Sequence, residues 1–527
     1  MSSTPTKPHR RIPNSISLIM ALIALTSLYA AVRLALIGSG YFPEPSLRDI
    51  LLFSSLIIIL NASKTLFYFV LLPLLSVYAL YSPVGLTFGA PSYQYIASVF
   101  ATDLMEGREF LAQLPLFNYL LPFMIIGLVL LFRYCSQKFR LYLHKNKLFL
   151  AAVIIFALFD SIPFKPLQDI YYAGLKVARE LDMLNNLSID SQWGSSQLSA
   201  ASRYDDYVLI IGESARKDYH HAYGYPIENT PFMSTANGIL LDGFTAGGTN
   251  TIASLKLMLT KPDTRNWEGN YALNLIDLIK SAGIRTYWLS NQGYLGQFDT
   301  PISAIAKKAD ERFFLKTGDS LNTNTSDFEL LPKFEQSIRR PYQGKRFIVL
   351  HLYGSHPISC DRLNDYPKLI DDRQISQKYF NLNCYISSIK KTDELLRRVY
   401  TSLRENEQKN HRTFSMLYFS DHGLAQHISD DNIVIHNSSG KSKRHYDIPL
   451  FNISSDDTQR KVSRVFKSGL NFTDDIANWI GIDNPLLNKA ANLFDDQADA
   501  DDYGLQRIID AIDAPDDPAV AIPLHKG

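Results

Sequence analysis

Residues 207–216 read YVLIIGESAR, a short β-rich apolar run that ends in Gly212, Glu213 and Ser214. The design recurs downstream. "RTYWLS" (285–290), "RFIVLHLY" (346–353) and "FSMLYFS" (414–420) are further β-rich runs, separated by amphipathic stretches such as "ALNLIDLIKSAG" (272–283) and "ISSIKKTDELLRRVYTSLRE" (386–405). Strands alternating with helices indicate an α/β domain with a mostly parallel central sheet flanked by helices. In open sheets of this kind ligands collect beyond the carboxyl ends of the strands. Those ends carry the chemically capable residues here: Glu213, then His356 after "RFIVLHLYGSH", then Asp421 and His422 after "FSMLYFS".

The 203 residues before that domain are different in kind. Apolar runs occur at 16–37, 50–60, 66–81, 114–132 and 148–159. The second and fifth are short for a membrane crossing, which takes about 20 residues. Lys7, Arg10 and Arg11 precede the first run, and Arg133, Lys138, Arg140, Lys145 and Lys147 fill the loop before the last. If both basic segments are cytoplasmic, an even number of spans lies between them. That parity splits 50–81 at "NASK" and gives five spans, the last delivering everything after about residue 165 to the outside. The expected organisation is a cytoplasmic N-terminus (1–13), a five-helix transmembrane domain (14–164), an amphipathic helix and linker (165–203), an exported catalytic domain (204–490) and an acidic tail (491–527) with nine Asp between 495 and 517.

A formal charge of +1 carries no bias toward nucleic acid, and no zinc-finger spacing, repeat or P-loop occurs. Nucleic acid is therefore not an expected partner. Cys135 falls in the cytoplasmic loop, whereas Cys360 and Cys384 fall in the exported part, 24 positions apart. In an oxidising compartment the two make a candidate disulfide, the alternative being two free buried thiols.

Glu213, Asp421 and His422 form a mixed oxygen and nitrogen donor set that suits a divalent ion such as zinc. Taken one at a time, each is also explained as a helix cap or turn residue. Taken together at strand ends they read as a site. The stretch 245–260, "TAGGTNTIASLKLMLT", puts hydroxyls around a Gly-Gly pair before a helix-like run. Thr251 stands immediately before "IASLKLML", where helix N–H groups favour negative charge and a metal would make an alkoxide accessible. It is the best placed nucleophile, with an N-cap role as its bland alternative.

These residues sit in motifs that resemble a known family. "VLIIGESARKDYHHAYGYPIENTPFM", "GGTNTIASL", "LNLIDLIKSAGIRTYWLSNQ", "HLYGSHP", "YFSDHG" and "RHYDIPLF", in this order behind the apolar runs, resemble the bacterial phosphoethanolamine transferases of the alkaline phosphatase and sulfatase superfamily. The resemblance extends to about residue 486. It implies an alkaline phosphatase-like fold, a multi-pass protein of the bacterial inner membrane with its catalytic domain in the periplasm, and one or two Zn2+ ions. Glu213, Asp421 and His422 match the family's metal ligands, and Thr251 matches the threonine that ligates zinc and takes up the phosphoethanolamine group. His356 and His436 match histidines assigned to donor or acceptor binding or to a second zinc, and either can serve as the proton-transfer group. His445 of "RHYDIP" matches a histidine of some members only, and Asn291 of "WLSNQ" is grouped with the substrate-binding residues. The implied donor is phosphatidylethanolamine in the bilayer, the implied acceptor lipopolysaccharide or another periplasmic glycan, and the enzyme is read as a monomer.

Departures from the family concern the acceptor. Gly247 and Leu257 stand where the lipid A-modifying members carry a disulfide around the nucleophile loop, and Leu424 follows "SDHG" where Glu is common. They lean toward a core sugar, periplasmic glucan or other glycan as acceptor. A sulfatase is disfavoured because Ala253 and Leu255 occupy the places of the Pro and Arg that follow a sulfatase nucleophile. Two alternatives remain at this point: a glycerophosphate transferase of the lipoteichoic acid synthase type, and a catalytically silent membrane-anchored binding protein.

Overall fold

In a computed structural model the chain is described over residues 14–42, 44–91, 95–96, 104–139, 165–186, 189–293, 300–317, 324–437 and 442–524. It forms two compact units. One comprises Met1–Ser92 and Leu114–Ala173, the other Tyr93–Gln113 and Gly174–Gly527.

The first unit is helical. Among the described residues, three helices are long and apolar enough to cross a membrane: Leu18–Gly38, Lys64–Phe88 and Leu116–Lys138. They are apolar on every side. Val32, Phe53, Phe67, Ile125 and Val129 are buried between them, while Phe69, Leu80 and Phe123 are 78%, 73% and 76% exposed. A helix that presents such side chains outward is stable only against hydrocarbon. The second apolar run forms the helix Leu47–Leu60, whose 14 residues fall short of a span. The chain does break at "NASK", with Ser63 capping the next helix. The fifth run, and with it the parity argument, lies outside the described residues.

The second unit is built on an eight-stranded sheet. Its strands are β2 (Asp206–Gly212), β3 (Gly238–Thr245), β4 (Arg285–Ser290), β5 (Glu311–Phe314), β6 (Arg346–His351), β7 (Phe414–Ser420), β10 (Leu450–Ser454) and β11 (Arg460–Ser468). The remaining strands pair outside it: β1 (Gln197–Leu198) with β12 (Ile482–Asp483), and β8 (Ala425–Ile428) with β9 (Ile433–His436). The order across the sheet is β11-β3-β10-β7-β2-β6-β4-β5. All pairs are parallel except those of β10, which runs antiparallel to both neighbours. The four runs expected as strands are β2, β4, β6 and β7, and they are adjacent in the sheet, none at an edge. Every residue of β2, β6 and β7 is buried, as a parallel sheet covered by helices on both faces requires.

One covering helix, Phe380–Asn410, reaches beneath the site. There Tyr385 Oη donates to the Ser214 carbonyl at 2.8 Å and accepts from the Arg216 N–H at 2.8 Å. Cys384, next to it, is bonded to Cys360. This is the pairing the candidate disulfide anticipated, with Cys135 a buried free thiol.

Two segments differ in character from their sequence reading. The amphipathic helix Lys165–Asn186 buries Val177 against Ile252, and Glu180 of the same helix accepts from Tyr271 Oη at 2.6 Å and pairs with Lys256 at 3.3 Å. Its inner face thus packs on the helix that starts at Thr251. The acidic tail is also tied down. Asp517 accepts from Arg216, Gln426 and Ser442, Tyr225 Oη donates to the Val520 carbonyl, and Ile522 is 5% exposed. A carboxylate facing a buried guanidinium is held by a charge-assisted bond that a solvated tail would lack.

Candidate metal centre and nucleophile

β2, at the centre of the sheet, delivers Glu213 directly from its carboxyl end, and β7 beside it delivers Asp421 and His422 one step on. Gly212 makes the approach possible, since a Cβ there would lie 2.8 Å from the Tyr418 ring. Ser214 then turns the chain with φ of 57°, left-handed for a residue with a side chain, which costs on the order of 1 kcal/mol or more. Three bonds offset it: Ser214 N–H to Asp421 Oδ1 (3.0 Å), Ser214 Oγ to Glu213 Oε1 (2.6 Å), and the Tyr385 hydroxyl on its carbonyl.

The three side chains Glu213, Asp421 and His422 are buried and bring one donor atom each within 4.8 Å of the others, the arrangement a bound metal ion needs. His422 Nε2 lies 3.3 Å from Glu213 Oε1 and 3.5 Å from Asp421 Oδ2. Its other nitrogen, Nδ1, lies 2.6 Å from the Gly423 carbonyl. A proton on Nδ1 donates there, which leaves the Nε2 lone pair for the cluster, as in a histidine prepared to ligate. Asp421 Oδ1 is occupied by the Ser214 and His422 N–H groups, but Oδ2 is buried without a hydrogen-bond partner. A buried carboxylate oxygen left bare is costly, and a divalent cation held by Asp421, Glu213 and His422 would satisfy it. The residues therefore fit a metal.

Electrostatics agree. Burial and the Glu213 charge push the Asp421 carboxyl up to about 7. Burial would also raise Glu213, but His422 beside it outweighs that and holds the carboxyl well below its usual range. Burial would lower His422, but the Asp421 and Glu213 carboxylates raise it to about 9. Without metal, a proton on the imidazole does the job of the cation.

Thr251 stands at the rim of this cluster, half-buried, with Oγ1 donating to Glu213 Oε2 at 2.9 Å. It is the first residue of the helix Thr251–Met258 and not its cap. Asn250 is the cap, its Oδ1 accepting from Ala253 N–H at 2.8 Å. With the capping duty taken by its neighbour, the Thr251 hydroxyl is available for the cluster. The helix is fixed in place by Ser254, whose Oγ donates to the Asp421 carbonyl at 2.6 Å and accepts from Gly247 N–H at 3.2 Å. Gly248 lets the loop pass over the helix start, since a Cβ there would lie 2.7 Å from the Ala253 carbonyl carbon and Ser254 nitrogen.

The other expected residues are placed as follows. His356 follows β6 at the end of a turn in which Ser355 N–H donates to the Glu213 carbonyl at 3.0 Å. Its ring stacks on Tyr353 at 4.8 Å. His436 ends β9 and pairs in register with Ala425, three residues past His422. His445 is fully buried, with Nδ1 3.1 Å from the Ser442 carbonyl, and burial lowers its pKa to about 3. Asn291 is also fully buried, and its amide nitrogen donates to Thr325 O and Asp327 Oδ1, both at 2.8 Å. That spends its donors on the loop that also caps Tyr353 and Gly354 N–H through Asp327. Next to it, Gln292, quoted above only as the last residue of a motif, donates from Nε2 to Glu213 Oε2 at 3.2 Å. It stands just past the end of β4, so the strand-end rule that found Glu213 could have found it.

Comparisons with known proteins agree with this geometry. The sulfatase family profile matches residues 205–482. A Haemophilus influenzae protein provisionally assigned as a phosphoethanolamine transferase is 56% identical over 415 residues, 79% of this chain and 85% of the relative. The Escherichia coli phosphoethanolamine transferase OpgE is 31% identical over 433 residues, covering 78% of this chain and 79% of its own. Among solved structures, the integral membrane lipooligosaccharide phosphoethanolamine transferase A of Neisseria meningitidis matches 90% of this chain and 98% of its own with a TM-score of 0.58 at 16% identity, a likeness of fold. A sulfatase-type sheet, a buried Glu-Asp-His cluster with a threonine on its rim, and relatives matched over most of their length identify the chain as a member of the phosphoethanolamine transferase family, within the sulfatase and alkaline phosphatase superfamily.

Proposed function

We propose that this enzyme transfers phosphoethanolamine from phosphatidylethanolamine to a glycan of the bacterial envelope through a covalent intermediate on Thr251, with the sheet unit in the periplasm. The observation that carries the reading is the Thr251 hydroxyl, 2.9 Å from Glu213 at the edge of a buried three-ligand cluster. Zinc held by Glu213, Asp421 and His422 would lower the pKa of that hydroxyl and offset charge on the phosphoryl oxygens. Thr251 Oγ1, its proton lost to water beforehand, attacks the donor phosphorus in line, the bond to the diacylglycerol oxygen breaks, and His356 or His436 gives that oxygen a proton. In the second step an acceptor hydroxyl, losing its proton to the same histidine, attacks the phosphorus and frees Thr251. The helix that starts at Thr251 adds its positive dipole end beside the transferred charge. The acceptor reading draws on OpgE among the relatives and on Gly247 and Leu257, which leave the nucleophile loop without the disulfide of lipid A-modifying members.

Membranes carrying the wild-type protein or Thr251→Ala, incubated with headgroup-labelled phosphatidylethanolamine, test the reaction. Label on the protein and on envelope glycans is expected for the wild type only, the variant falling to background while keeping its metal. Transfer at the wild-type rate by Thr251→Ala would remove the nucleophile assignment. Label arriving from phosphatidylglycerol instead would favour a glycerophosphate transferase.

A further inference from the structure

We infer that Glu109, far from the catalytic motifs in sequence, is the residue that positions His356 for proton transfer. The inference rests on the role given to His356 above. The compact unit that holds the sheet includes residues 93–113 as well as 174–527. Within it, Glu109 lies on the helix Leu104–Ala112, its side chain only 6% exposed. Glu109 Oε2 is 3.2 Å from His356 Nδ1, an ion-pair contact short of hydrogen-bond geometry, and neither atom has a hydrogen-bond partner among the described residues. The carboxylate and the ring nitrogen have each other.

The other carboxylate oxygen bonds to Nη2 of Arg362, which is 5% exposed. Arg362 in turn lies 4.6 Å from the centroid of the Tyr353 ring, the same ring on which His356 stacks at 17° between planes. The imidazole is thus held flat by Tyr353 and by its edge through Glu109. Two consequences follow. A carboxylate at Nδ1 fixes the proton there, which makes Nε2 the nitrogen that exchanges a proton with donor and acceptor oxygens. Arg362 compensates the charge of Glu109, so the carboxylate orients the ring without adding net negative charge near a site that must admit a phosphoryl group. A carboxylate that served only to anchor its helix would be satisfied by Arg362 alone.

The test uses the full chain in liposomes with labelled phosphatidylethanolamine, and compares wild type, Glu109→Gln, Glu109→Asp, His356→Asn and the double variant Glu109→Gln/His356→Asn. Rates are read as single-turnover labelling of Thr251, which extends to slow variants, and as steady-state kcat and KM. Glu109→Gln is expected to lower kcat by about 10- to 100-fold, as carboxylates behind working histidines do, with KM and metal content unchanged and a lower melting temperature, since buried Arg362 loses its charged partner. Glu109→Asp should recover part of that loss. The double variant should be no slower than His356→Asn, because both changes remove one function. Wild-type kcat for Glu109→Gln beside an inactive His356→Asn would overturn the inference alone, as would a Glu109→Gln defect that multiplies in full with that of His356→Asn. Wild-type transfer by His356→Asn would overturn the role of His356 itself, and this inference with it.

Discussion

At the scale of single residues, the centre is a charge problem solved by proximity. Two buried carboxylates and one imidazole share a space that would repel a second negative charge, so in the absence of metal the imidazole keeps its proton up to about pH 9 and Asp421 keeps a share of one up to about pH 7. A metal must displace those protons. Both groups are raised, so both release protons on metal binding below their raised values, and affinity therefore rises as pH rises. Calorimetry in buffers of different ionisation enthalpy should find about one proton released per zinc at pH 8 and closer to two at pH 6, with affinity levelling above about pH 9. Proton release near zero across that range would show that His422 is already neutral. The three residues of the candidate cluster were legible in the sequence because each lies within two positions of a strand end, where one residue decides direction. Gln292 and Ser254 were not, because an amide or hydroxyl in such a position has many ordinary uses and only distance shows which one applies.

At the scale of elements, the helix Thr251–Met258 divides labour between neighbours. The sequence places its start to within one residue but offers Thr251 as the cap, although Asn250 before it is an equally competent capping residue. The structure gives the cap to Asn250, and that choice frees Thr251. Asn250→Ala should therefore cost about 0.5–2 kcal/mol of stability. It should also slow labelling of Thr251, because the hydroxyl rides on the turn that the cap secures. Asn250→Asp, which keeps the acceptor, should retain most of the stability. A fully stable and fully active Asn250→Ala would show that Ser254, bonded to the Asp421 carbonyl at 2.6 Å, secures the turn without help. The sheet was readable for a related reason: β2, β4, β6 and β7 are adjacent, interior to the sheet and almost wholly buried, so their composition is constrained from both faces. β11 lies at the edge, where exposed positions relax the pattern, and no run in the sequence marked it, nor β3 and β10, although β10 is buried throughout.

At the scale of the whole catalytic unit, the site is assembled by segments that arrive late in the chain. Asp517 joins three stretches that each lead into it. Its carboxylate accepts from Arg216 Nη1 at 3.1 Å, from Gln426 N–H at 3.0 Å and from Ser442 Oγ at 2.5 Å. Arg216 is three residues past Glu213, Gln426 four past His422, and Ser442 three before His445. Its neighbours continue the seam: Ala519 N–H donates to Asp218 at 2.9 Å and Val520 N–H to Tyr219 Oη at 3.2 Å. Composition alone could not reveal this, because nine Asp in a short stretch read as solvated unless a buried cation is known to face one of them. Arg216 is that cation, fully buried and shared between Asp218 and Asp517. Removing one partner of a buried charge costs about 3 kcal/mol or more, while the ion pair Arg216–Asp218 remains to limit the loss. Asp517→Ala in the full chain should thus lower the melting temperature by ~5–10 °C and reduce transfer through the same stretches, whereas Asp516→Ala, whose partner Arg444 is partly exposed, should change neither. Equal melting of the two variants would mean that the strap is held by its apolar end at Ile522 and that Asp517 only follows it.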